Sequence, residues 1–305
     1  MIFRNFVFWA VVTTLAVAAN AQPPAAPPAS GTLVELAKPA RSPRTLTEAL
    51  HSKLMGREMP YRIILPAKYN DKSENGRRYP VIYLLHGLTG HFDNWTSLTE
   101  IESYSAAMGV IIVTPEGGNG WYTDALSKDN ENYESYIITE LIPEIDRRYR
   151  TLGRRDQRAV AGLSMGGYGA IKFGLKYPAR FVLAGSFSGA LGAAAITEKQ
   201  FPGAIGKTID GIFGPAGSEV RKANDPFEII RHATSEKIKD FPFLYLDCGT
   251  KDFLFQNNRE FIDLLLEKGV PHEFRQLPGT HDWKYWDKQI QEFLRIADRT
   301  FGVRS

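Results

Sequence analysis

Cysteine is nearly missing from this chain. Of 305 residues only Cys248 is one, so no intrachain disulfide can form and the fold must be held by its core. An excess of one charge sign is missing too: 37 basic and 34 acidic residues leave a formal +3. No lysine or arginine run of the kind that tracks a phosphate backbone is present, and nucleic acid is not expected as a partner. With six histidines, no H-E-x-x-H and no paired cysteine set, no metal is expected. "GAIGKT", Gly203 to Thr208, imitates the end of a phosphate-binding loop, but the earlier glycine it needs is Phe201. "GGYG" after Ser164 lacks the spacing of a dinucleotide fingerprint, so no cofactor is expected either.

Long apolar runs are also scarce, and the one at the amino terminus is short. "MIFRNFVFWAVVTTLAVAANAQ" has a positive Arg4, an apolar stretch from Phe6 to Ala19, and the small residues Ala19 and Ala21 ahead of Gln22. That is the pattern of an export signal over residues 1–21, and the run falls short of the roughly 20 residues that a bilayer span needs. Cleavage after Ala21 would leave no stable membrane insertion, and the protein is expected to be secreted or periplasmic. A Pro/Ala-rich spacer follows over residues 22–44, with the folded domain expected over residues 45–303.

What the chain does have is core: 43% of its residues are hydrophobic and 12% aromatic, enough for one large domain. Apolar runs bounded by turn residues occur at Tyr61 to Leu65, Val81 to Leu85, Gly109 to Pro115, Arg158 to Gly162, Phe181 to Ser188 and Phe243 to Asp247. Several are apolar throughout, as suits strands covered on both faces. Between them lie helical patterns: Ile137, Ile138, Leu141, Ile142 and Ile145 with Pro143 as a kink, then Phe261, Leu264 and Leu265, then Trp286, Ile290, Phe293 and Ala297. This alternation predicts an α/β domain, a mostly parallel central sheet with helices on both faces.

The stretch "AVAGLSMGGYGA" carries a G-x-S-x-G motif, Gly162 to Gly166, between a strand and a helical run. Glycines on either side of Ser164 let neighbouring backbone pass close to a strained turn that exposes the serine oxygen. The amide of Met165, at the start of the helix, would then be one half of an oxyanion hole. A serine nucleophile needs a base and an acid on loops after later strands. Of the later histidines, His232 falls in a helical stretch and His272 on the wrong end of the strand-like "HEFRQL", whereas His281 follows that strand. For the acid, Asp252 in the loop after "FLYLD" is preferred to Asp247 at the strand's end, which stays open; Asp282, beside the histidine, is poorly placed.

"VIYLLHGLTGH" supplies a loop after an earlier strand in which the amide of Leu88 would be the second oxyanion donor, with His86 holding that loop by hydrogen bonding. Trp121 and Tyr122 in "NGWYTD" are either a substrate platform for a sugar or aromatic ring, or loop packing. The stretch from Gly189 to Lys239, longer than a plain crossover, is expected to cover the site and set its preference.

Taken in order, "LLHGLTG", "GNGWYTD", "GLSMGGYGA", "NDPF", "DCGTKDFL" and "GTHDWKYW" resemble the putative-esterase family of α/β hydrolases, across nearly all of residues 45–301. That family includes S-formylglutathione hydrolases, carboxylesterases, feruloyl and acetylxylan esterases, and mycolyltransferases. The resemblance implies an α/β-hydrolase fold, Ser164 as nucleophile, Asp252 as acid, His281 as base, and Leu88 and Met165 as oxyanion donors. The expected activity is that of an exported carboxylesterase using an acyl-enzyme, acting on small-molecule or polysaccharide-linked acyl, acetyl or feruloyl esters. Two further readings stand beside it: a thioesterase or acyltransferase, and an exported carbohydrate- or partner-binding module without turnover.

Overall fold

The computed structural model describes residues 42–200 and 202–302; the signal and spacer expected at the amino terminus lie outside the described residues up to Arg41. Eight strands form one sheet: β1 (Thr45–Ser52), β2 (Arg57–Ile64), β3 (Val81–Leu85), β4 (Ile111–Pro115), β5 (Arg158–Leu163), β6 (Leu183–Phe187), β7 (Phe243–Gly249) and β8 (His272–Leu277). Their order is β1-β2-β4-β3-β5-β6-β7-β8, with β1, β2 and β4 paired antiparallel and every later pairing parallel. The apolar runs read from the sequence all lie in this sheet. β3 has the expected bounds, whereas β2 begins four residues earlier than its apolar run.

β1 had no such signal. It is an edge strand in which Thr47, Ala49 and His51 face solvent and only Ser52 is fully buried, so no continuous apolar run betrays it.

The helices are α1 (Asn94–Leu98), α2 (Ile101–Tyr104), α3 (Tyr133–Ser135), α4 (Ile142–Arg148), α5 (Met165–Lys176), α6 (Ala204–Phe213), α7 (Glu219–Asn224), α8 (Pro226–Arg231), α9 (Ser235–Asp240), α10 (Phe255–Lys268) and α11 (Trp283–Phe301). α3 runs into α4 through a π-helical turn, Tyr136–Leu141, just ahead of Pro143. Proline has no N–H for the carbonyl four residues back and its ring crowds that carbonyl, so the expected kink is taken up by a widened turn.

Both faces of the sheet are covered. Tyr168, Ile171 and Phe173 of α5, Phe261 and Leu265 of α10, and Ile137 and Leu141 pack on one face. Trp95, Ile101, and the α11 stripe of Trp286, Ile290, Phe293 and Ala297 pack on the other. β3, β4, β5 and β6 are accordingly buried at every residue. Cys248 lies fully buried in β7, where desolvation pushes its thiol far above the usual range, so it is a packing residue.

The chain proceeds from β3 to β4 on one side and then to β5 on the other. Strand order therefore reverses at β3, and the loops after β3 and β5 diverge from the carboxyl ends of adjacent strands. In open α/β sheets that crevice is where ligands bind.

Candidate active site

Ser164 joins β5 to α5 with φ 52° and ψ −117°, a conformation that costs a non-glycine residue on the order of 1–3 kcal/mol. The flanking glycines explain how it is held. A Cβ on Gly162 would lie 2.5 Å from the backbone of Gly166, and one on Gly166 would lie 2.5 Å from the carbonyl oxygen of Leu85 and 2.6 Å from that of His86. Backbone passes over backbone at both places, which fixes the turn against the end of β3.

Two later loops meet this turn. The amides of Thr250 and Lys251, after β7, donate to the carbonyls of Leu277, the last residue of β8, and Gly279, beyond it, at 2.9 and 3.0 Å. A Cβ on Gly249 would sit 2.5 Å from the Gly279 oxygen, so these loops too touch main chain to main chain. Asp252 and His281 ride on them. Asp252 Oδ1 accepts from the Leu254 amide at 2.8 Å, while its Oδ2 lies 2.9 Å from His281 Nδ1; His281 Nε2 lies 3.0 Å from Ser164 Oγ. A carboxylate only accepts, so the ring proton sits on Nδ1 and Nε2 is free to accept from the serine hydroxyl.

The other candidates lie elsewhere. Asp247 is fully buried within β7, and burial raises its carboxyl to about 8. Asp282 caps α11 by accepting from the Tyr285 amide at 2.9 Å. His232 is exposed on Glu228, and His272 opens β8 rather than following it.

On the opposite side of Ser164, Met165 is the first residue of α5, so its amide is one of the donors a helix leaves without an internal acceptor. Leu88 lines the cleft from the loop after β3. Gly87 O accepts from the Gly90 amide at 3.0 Å and from His86 Nδ1 at 2.8 Å. Across a trans peptide the N–H points opposite to the C=O, so tethering the Gly87 oxygen directs the Leu88 amide the other way. His86 Nε2 in turn accepts from the Gly117 amide at 2.9 Å. Protonating the ring would aim Nε2–H at Glu116 Oε1, 3.3 Å away, and give up that contact. His86 thus holds its loop and lies outside the Ser164 line.

Two expectations need correction. Trp121 and Tyr122 offer no platform: Trp121 packs edge-on against Tyr168, and Tyr122 is wholly buried with its hydroxyl donating to His86 O at 2.9 Å. The glycines around them create a hollow that the Tyr122 ring fills, as a Cβ on Gly117 or Gly169 would strike it at 2.4 or 2.6 Å. Nor do the described residues of the Gly189–Lys239 stretch line the cleft. The stretch is folded back on the α5–α10 face, where the Tyr168 hydroxyl donates to Asn224 O at 2.6 Å and Asn258 Nδ2 to Gly189 O at 2.9 Å. Arg221, buried within it, donates to three carbonyls and pairs with Asp210, so the segment is knit to itself.

The cleft beside Ser164 and His281 has a volume of about 450 Å³. Its walls are Leu88, Leu98, Leu163, Phe253, Trp283 and Trp286, with the polar Thr89 and Asn94 on one side. Phe253 lies against the His281 ring with centroids 4.5 Å apart and the rings tilted 47°, and Trp286 meets it in a T-shaped arrangement at 4.9 Å. Sequence reasoning missed these aromatics, although Phe253 directly follows the acid candidate and Trp283 and Trp286 closely follow the base candidate.

With that geometry in view, the chain can be set beside known proteins. A family model described as "Putative esterase" matches residues 52–296. The chain belongs to the putative esterase family. An acetyl esterase of Caldicellulosiruptor saccharolyticus is 29% identical over 248 residues, covering 79% of this chain and 92% of that protein. A solved ferulic acid esterase superposes with a TM-score of 0.72 at 28% identity, over 84% of this chain and 98% of that one. The S-formylglutathione hydrolase FrmB of Staphylococcus aureus superposes at 0.69 with 27% identity, over 84% and 98%. The fold is that of the α/β-hydrolase esterases, and the chain is a carboxylic ester hydrolase.

Two outcomes follow from the site. Gly166→Ala should lower stability by about 2–3 kcal/mol or more, read from a urea titration, because a methyl cannot fit beside two fixed carbonyls. Asp252→Asn should lower kcat by about 10³- to 10⁴-fold, since the amide can donate to Nδ1 and turn the ring tautomer around. Asp247→Asn leaves the Asp252–His281–Ser164 line in place and should stay within about threefold of wild type; the opposite ranking would move the acid role to Asp247.

Proposed function

We propose that the protein is an exported serine carboxylesterase in which Ser164 is the nucleophile, His281 the general base and Asp252 the acid that orients it. One observation carries this reading: a continuous line from Asp252 Oδ2 through both nitrogens of His281 to Ser164 Oγ, at 2.9 and 3.0 Å, opening onto a cleft.

The chemistry balances within that line. Ser164 Oγ attacks the ester carbonyl as its proton passes to His281 Nε2, and the carbonyl oxygen becomes an anion facing the amides of Leu88 and Met165. Collapse of this intermediate breaks the bond to the alcohol, which leaves with the proton held on His281. Water then attacks the acyl-enzyme, giving its proton to the same nitrogen, and the acid departs as Ser164 is reprotonated. Asp252 stays ionised throughout and stabilises the imidazolium.

The cleft favours uncharged acyl groups, because among the described residues no lysine, arginine, aspartate or glutamate lines it. The names of the related acetyl esterase and ferulic acid esterase support acetyl or aromatic acyl esters, including those carried on polysaccharides. A glutathione thioester would bring two carboxylates to a wall without a cation, so the thioesterase reading ranks second despite the similarity to an S-formylglutathione hydrolase. Export rests on the signal-like residues 1–21.

The purified protein is expected to hydrolyse p-nitrophenyl acetate, p-nitrophenyl butyrate and methyl ferulate, with S-formylglutathione turned over at least tenfold less efficiently in kcat/KM. Ser164→Ala should lose about 10⁴-fold or more in kcat and fail to form the covalent fluorophosphonate adduct seen by mass spectrometry with wild type. An unlabelled wild-type protein without turnover would favour a binding module on the same fold. Amino-terminal sequencing of protein from the periplasm or medium should begin at Gln22; an uncut terminus in the cytosol would remove the export part of the reading.

A further inference from the structure

The three carbonyls that precede the Leu88 amide are all capped. Leu85 O accepts from Trp95 Nε1 at 3.0 Å, His86 O from the Tyr122 hydroxyl at 2.9 Å, and Gly87 O from His86 Nδ1 at 2.8 Å. Trp95 and His86 reach over from nearby residues. Tyr122 comes from a separate loop, Gly117 to Thr123, which meets the Leu88 loop at two further points: the Gly117 amide on His86 Nε2 at 2.9 Å and the Thr89 amide on Asn119 Oδ1 at 2.8 Å.

Tyr122 is also tied to the other side of the site. Its own carbonyl accepts from Lys172 Nζ at 2.6 Å, and Lys172 projects from α5, whose first residue is Met165. Lys172 is completely buried and also bonds to Thr123 Oγ1 and Glu134 Oε2, both at 2.7 Å. Burial pulls its ammonium down against the opposing pull of Glu134, to about 8. The loop between these ties is strained, with φ of 51° at Trp121 and 50° at Tyr122, and residues in such conformations persist where surrounding contacts over-determine them.

We infer that Tyr122 is a positioning residue for catalysis: its hydroxyl holds the loop of the Leu88 amide, its carbonyl holds the helix of the Met165 amide, and the pair is thereby kept in register for the developing oxyanion. The inference rests on the esterase reading of Ser164. A tyrosine that only filled core would need neither tie, whereas here the polar atoms at both ends of the residue are spent on the two halves of the site. Two donors aimed at one oxygen tolerate little relative drift, because a misplacement of about 1 Å can cost on the order of 100-fold in rate.

Tyr122→Phe removes one oxygen and keeps the ring, and Tyr136→Phe is the matched control, since the Tyr136 hydroxyl is buried without a partner among the described residues. Active sites are counted by fluorophosphonate titration, so that kcat refers to folded enzyme alone. Expected for Tyr122→Phe is a kcat per titrated site lower by about 10- to 100-fold, with KM on p-nitrophenyl butyrate within about twofold of wild type. The Ki of a trifluoromethyl ketone, which forms a tetrahedral oxyanion on the serine, should rise by the same factor, and Tyr136→Phe should match wild type in both. If Tyr122→Phe lowers only Tm or the titrated fraction, and turns over per site like Tyr136→Phe, the residue is packing and the inference falls. A wild type that neither turns over nor titrates would overturn the esterase reading itself, and this inference with it.

Discussion

Main chain lying directly on main chain is the constraint from which the rest of this site follows. Gly162 against Gly166, Gly166 against the carbonyls of Leu85 and His86, and Gly249 against Gly279 each bring two backbones closer than any side chain would permit. The first contact forces the turn that lifts Ser164, the second places that turn on the end of β3, and the third joins the loops of Asp252 and His281. None of these contacts is strong by itself. Their value is that backbone cannot change rotamer, so groups from four loops arrive at fixed distances without a ligand to gather them.

The sheet supplies the other half of that precision. β3 and β5 are adjacent, parallel and buried at every position, so the loops leaving them start from points that cannot shift. The walls of the cleft come from the loop after β3 with α1, from Leu163 at the end of β5, and from Phe253 with the start of α11. Trp286 faces the cleft and also belongs to the stripe that covers the sheet, so this wall is held by the same core that fixes the turn at Ser164.

Much of this was legible before any coordinates. Fully apolar runs gave the parallel strands, because a strand covered on both faces has no polar side to confuse the pattern. The order of serine, Asp252 and His281 along the chain, each after its own strand, pointed to residues that the fold brings together. What stayed hidden had a physical reason in each case. β1 has the mixed surface of an edge. Trp121 and Tyr122 follow a strand end in a glycine-rich stretch, which leaves both platform and loop packing open; Gly117 beside them and the distant Gly169 of α5 together open the room that the Tyr122 ring fills. The Gly189–Lys239 stretch has the length of a lid, but length says nothing of which face it folds on, and that is set by ties to α5 and α10, where the Tyr168 hydroxyl donates to Asn224 O and Asn258 Nδ2 to Gly189 O.

The lone cysteine has a consequence of its own. Cys248 sits in the seventh strand with no accessible surface, between the sheet's two covering layers, and no second thiol exists to pair with it. Thiol oxidants and disulfide reductants therefore find no accessible sulfhydryl or disulfide while the sheet is closed. A thiol-reactive dye can reach that sulfur only when the strand is laid open, which makes the native chain its own single-site clock for global unfolding, with no label to engineer and no background to subtract.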